Sequence, residues 1–150
     1  MVFDYDQIII QEGEFTCDEV FIVALCRLMN SSIKIIISND MAKHLKNASN
    51  IFEKPYVCTR HGDTFHAFWS SYGERLCETK EAYEKIRDGF AYVLSSELDD
   101  KNLLVWAIEE MNALPDTKET AYIAFHRAVV IASMILYSQI QKANYDTQNK

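Results

Sequence analysis

The chain has 150 residues, 49% of them hydrophobic, with four Gly and two Pro, which is enough to bury a core and too apolar for a disordered segment. Its formal charge of −7 disfavours broad contact with a phosphate backbone, so direct nucleic-acid binding is expected to be weak or absent. No apolar run reaches membrane-spanning length, and the opening Met-Val-Phe-Asp-Tyr-Asp lacks the basic region and cleavage site of a signal peptide; a soluble, cytoplasmic protein without membrane contact is expected.

In chain order, Tyr5 to Ile10 reads as a strand and Val20 to Met29 as a helix apolar on nearly every face. Ile33 to Ser38 is β-branched and reads as a second buried strand, so strand, helix and strand make a parallel unit with a crossover. Asn39 to Asn47 reads as a short helix and Tyr56 to Cys58 as a third strand, while the aromatic stretch from Arg60 to Gly73 fits no regular pattern. Helical patterning begins near Ser71, with candidate helices over Thr79 to Leu98 and Asn102 to Ala113. Leu114-Pro115-Asp116 is a break, and Asp116-x-x-Glu119 offers a capping box for a last helix whose inward face carries Phe125, Ala128, Val129, Ala132, Ile135, Leu136 and Ile140. The tail after Ala143 is polar and expected to fray. The expectation is a single domain, residues 1–150, of the α/β class: a small parallel sheet over 1–70 followed by an α-helical part over 71–143.

The four cysteines, Cys17, Cys26, Cys58 and Cys77, include no Cys-x-x-Cys pair and suggest no disulfide framework, and Cys17 and Cys26, on or beside one helix, read as small, partly buried thiols. Thr16-x-x-Glu19 and Ser71-x-x-Glu74 read as capping boxes, and Phe15 with Val20 as a hydrophobic staple. Lys43, Lys46, Lys54 and Arg60 against Glu53 form a locally basic stretch, with Lys43 and Arg60 as candidate phosphate or ligand contacts and a solvated helix face as the ordinary reading. His61 and His66 flank a loop containing Asp63, a spacing compatible with zinc; His44 and His126 read as surface residues. Phe65, Phe68, Trp69 and Tyr72 crowd one stretch and read either as a partner or base-stacking surface or as cover for the sheet edge. Cys58 and His61 form a faint thiol–imidazole pairing.

Gly-x-Phe-x-Cys-Asp-Glu-Val-Phe-x-Val-Ala-Leu at residues 13–25 resembles the first motif of the Myg family, a branch of the DHH-type phosphoesterases. Ser70-Ser71-Tyr72-Gly73 resembles the Ser-Ser-Ala-Gly that starts a helix there, Leu98-Asp99-Asp100-Lys101-Asn102 the Ile-Asp-Asn-Gly motif, and Ala124 to Val129 a late Phe-x-x-Ala-Val helix. The order is kept across nearly the whole chain. The resemblance implies a parallel-sheet phosphodiesterase or exonuclease whose two manganese ions need several carboxylates and imidazoles in one cleft. Carried over by position, the family's histidines fall on Gln11 and Thr16, leaving Asp18; the DHH triplet falls on Thr59-Arg60-His61; and Asp100 stands for a later aspartate. The implied metal ligands are therefore Asp18, His61 and Asp100, with His66 as a further candidate, and Arg60 introduces a cation among them.

Packing motifs thus survive where ligand positions do not. The expectation is a shortened, non-catalytic relative of these phosphoesterases, a binding protein that regulates or inhibits. No cofactor is expected unless the residual site holds manganese or another divalent cation. The partner is expected to be a protein, with a nucleic-acid-binding enzyme and a viral setting among the candidates, because an acidic surface suits a basic one. The alternatives are a metal-dependent phosphodiesterase or exonuclease with rearranged ligands (Asp18, His61, His66, Asp100), and a homodimer formed through the helical half.

Overall fold

The computed structural model describes residues 7–11, 17–38, 57–59, 64–95 and 118–148. These form a small α/β fold, mostly helical, around a three-stranded parallel sheet. Strand β1 (Gln7–Gln11) is central, flanked by β2 (Lys34–Ser38) and β3 (Val57–Thr59) in the order β2-β1-β3. The register sets Ile9 opposite Ile36 on one side and Cys58 on the other. Ile8, Ile9 and Ile10 are all buried, as expected of a central parallel strand covered on both faces.

Helix α1 (Cys17–Met29) makes the crossover from β1 to β2. Its run from Val20 to Cys26 is buried without interruption, because the helix lies within the core. Asn30 ends it: the Asn30 N–H donates to Cys26, and the Asn30 side chain accepts from Ser32 before β2 begins.

The helical arm that follows departs from the sequence reading. Helix α2 (Phe65–Tyr72) lies within the stretch left unassigned, so helical structure begins before residue 71. Ser71 sits in the last turn of α2, and Ser71-x-x-Glu74 is not a helix start; a 3₁₀ turn, Gly73–Leu76, follows directly. Thr79 opens the next helix, its hydroxyl accepting from the Ala82 N–H. The single helix expected over Thr79 to Leu98 is divided into α3 (Lys80–Ile86), a π turn (Arg87–Ala91) and α4 (Tyr92–Ser95). The buried positions give the reason. Ala82, Tyr83 and Ile86 keep α-helical spacing, but the next fully buried residue is Ala91, five beyond Ile86, and the wider turn absorbs the extra residue.

Helix α5 (Lys118–Gln148) packs along α1 and α3. Phe125, Ala128, Val129, Ala132, Leu136 and Ile140 are buried as the periodicity predicts, whereas Ile135 is only partly buried. From Asn144 to Gln148 the tail is helical rather than frayed. The buried Asn144 accepts from the Glu78 N–H at 3.0 Å, the Thr147 and Thr79 hydroxyls lie 2.9 Å apart, Asp146 pairs with Lys85 at 2.8 Å, and Gln148 bonds to Glu78. His126 is half-buried rather than at the surface, its ring edge-on to Phe125. The helices expected over 39–47 and 102–113, the Asp116 cap, His44 and the Thr16 and Phe15 positions lie outside the described residues.

Candidate functional site

Asp18, in the first turn of α1, is the one member of the implied ligand set Asp18, His61 and Asp100 that the described residues include. Its carboxylate is occupied by the start of another helix. Asp18 Oδ1 accepts from the Phe65 N–H at 2.8 Å and from the Ser95 hydroxyl at 2.7 Å. Ser95 Oγ in turn accepts from the His66 N–H at 3.0 Å, and Thr64 Oγ1 accepts from the Ala67 N–H at 3.2 Å. The N–H groups of Phe65, His66 and Ala67, which α2 itself cannot satisfy, are thus met by side chains from α1, α4 and the cap residue. A carboxylate placed there also complements the positive end of the α2 dipole.

The resemblance implies a metal ligand at Asp18; in the structure its carboxylate caps a helix distant in the chain. The sequence reading missed Ser95 and Thr64. Thr64 carries the ordinary N-cap signal, obscured by the lack of Glu or Gln three residues later. For Ser95 no local signal exists, since its partners lie 29 and 77 residues away.

Below this junction the aromatic side chains pack on one another. Phe21, Phe65 and Phe90 meet pairwise edge-to-face with centroids 5.6–6.1 Å apart. Trp69 stacks on Tyr83 at 6.1 Å and donates its indole N–H to the Tyr83 carbonyl at 3.1 Å, while the Tyr83 hydroxyl donates to the Ser70 carbonyl at 2.6 Å. Phe65 and Trp69 are therefore core residues, 0% exposed, and belong to no partner surface; Phe68 and Tyr72 are half-buried against the same cluster. The close seat of Trp69 depends on Gly73. A Cβ there would fall within the Trp69 indole, so glycine lets the chain pass directly over the ring.

His66 is half-buried beside the edge of Tyr92, at 6.2 Å between ring centroids. Among the described residues no three His, Cys, Asp or Glu side chains converge as a metal site. His61, Asp63, Asp100, Lys43 and Arg60 lie outside them. Two donors are aimed at Asp18 Oδ1, so that oxygen is engaged within the fold.

Cys17, Cys26 and Cys77 form no disulfide. Burial pushes the Cys26 thiol up to about 12, and burial with the nearby Glu74 carboxylate pushes Cys77 up to about 11, so neither is a nucleophile at neutral pH. An open cleft of about 200 Å³ lies between the π turn and α5, floored by Ile86, Phe90 and Ala143 and edged by Lys85 and Lys142. Lys85 is already paired with Asp146, whose carboxyl it holds below the usual carboxylate range.

Among the described residues no helix is long and apolar enough to cross a membrane. Compared with family profiles, curated proteins and solved structures, the chain matches none of them.

Proposed function

We propose that the chain is a non-catalytic relative of the DHH/Myg phosphoesterases that works by binding, as a regulator or inhibitor of a protein with a basic, nucleic-acid-binding surface. The observation that carries this reading is the engagement of Asp18: a residue at a metal-ligand position of the resembled motif spends one carboxylate oxygen on the Phe65 N–H and the Ser95 hydroxyl. A side chain in a ligand position has a structural task. The net charge of −7 supports the choice of partner, since an acidic surface is drawn to the basic grooves that hold phosphate backbones.

The test is calorimetric titration with manganese and zinc, alongside hydrolysis of oligonucleotides and a generic phosphodiester. The expected result is no turnover and no metal binding tighter than millimolar, with Asp18→Asn still folded. Metal-dependent turnover that disappears in a folded Asp18→Asn protein overturns the reading in favour of a phosphodiesterase with rearranged ligands.

A further inference from the structure

We propose that the outer face of α5 is a self-association surface, on which a second copy of the chain lays the same helix in the antiparallel direction. Helix α5 carries two apolar stripes. One is the buried face that packs on α1. The other points away from it and is exposed: Val130 at 53%, Met134 at 69%, Tyr137 at 56% and Tyr145 at 67%. From Ala128 to Gln141 the helix has no charged residue, whereas a helix face turned to water ordinarily carries several.

The spacing points to the occupant. Arg127, Val130, Met134, Tyr137 and Gln141 follow one another by three, four, three and four residues, the spacing of a short two-helix seam, and Tyr145, four residues on, is exposed beyond its end. A two-fold axis crossing α5 near Leu136 sets Arg127 of one copy over Tyr145 of the other, a cation on an aromatic face, and brings the Met134 and Tyr137 regions together. A parallel pair would instead oppose Arg127 to itself. The four exposed side chains present on the order of 500 Å² per copy, so their full burial removes about 1,000 Å² before any polar rim is added, the lower bound for a biological interface and the size of a weak dimer. This pairing does not depend on the reading of Asp18.

Sedimentation equilibrium of the full chain, from low micromolar to near-millimolar concentration, tests it. The expected result is a monomer–dimer equilibrium. Met134→Glu should weaken it by about 100-fold or more, because it buries an unpaired charge at the seam, and Met134→Leu should leave it intact. Arg127→Glu should weaken it by about five-fold. Both altered side chains are exposed in the single chain, so circular dichroism melting at concentrations where the chain is monomeric should be unchanged; if Met134→Glu fails to fold, Tyr137→Lys reads the same seam. A chain monomeric at every concentration overturns the proposal, and so does a dimer indifferent to Met134→Glu or Tyr137→Lys. A monomer that co-sediments with phosphatidylcholine vesicles also overturns it and assigns the stripe to lipid.

Discussion

Gly73 and Gly89 stand at opposite ends of one helical arm, yet a methyl group added to each meets a different fate. At Gly73 it strikes the Trp69 indole; at Gly89, in the π turn, it meets no atom within 4 Å. The first end of the arm is fixed by ring stacking, by the Tyr83 hydroxyl and by three side chains capping α2. The second end opens onto a cleft, and its geometry is a means of resetting the helix phase. Close packing and irregular backbone thus sit within a few turns of each other and should answer differently to substitution.

The largest expected effect is Gly73→Ala, which should cost about 3 kcal/mol because neither the indole nor the chain above it can move freely. Urea unfolding would measure it, and a loss under about 1 kcal/mol would show the arm to be softer than its contacts suggest. Next comes Asp18→Ala, expected to cost about 2 kcal/mol by leaving the Phe65 N–H and the Ser95 hydroxyl without their acceptor. Asp18→Asn, which keeps an oxygen at Oδ1, should recover most of that loss. Tyr83→Phe removes one hydroxyl bond and should cost about 1 kcal/mol.

These predictions rest on contacts that are largely invisible in the sequence. The β1–α1–β2 unit was legible because Ile8 to Ile10 and Ile35 to Ile37 are β-branched runs separated by one apolar helix. The inner face of α5 was legible through its period. Helix α2 was not, since its aromatic stretch has few strong helix formers and its first turn is capped from Asp18 and Ser95 far along the chain. The end of α5 misled for the same reason: Asn144, Asp146 and Thr147 are polar, but their partners lie on residues 78–85. Of the candidate site, the sequence points to Asp18 but not to its hydrogen bonds with Phe65 and Ser95. For Phe65 and Trp69 the sequence leaves a partner surface and a covering role both open, because nothing local shows that Gly73 opens a seat for the Trp69 ring.

On the open side, Gly89→Ala should stabilise by about 0.5 kcal/mol, since a helical glycine is replaced where space is free. A loss instead would mean that the π turn needs its glycine. The smallest effect is one of pH. Burial, aided by the nearby Arg27 charge, holds the His126 imidazole below its ordinary 6.5. The unfolded chain therefore takes up the proton first, so the contribution is complete above about 6.5 and is lost as pH falls toward the folded value. Melting temperature followed from pH 8 to pH 5 should decline on the acid side, and His126→Gln should flatten that slope.

The burial of α1 has a consequence for how the protein is made. This helix shows water almost no polar face, and much of its cover is α5, near the other end of the sequence. At ribosomal rates of about 5–20 residues per second, the roughly 100 residues between Phe21 and the packing face of α5 take about 5–20 s to emerge. For that interval the nascent chain carries a greasy rod with no lid, and chaperone capture should be concentrated there until the final helix arrives.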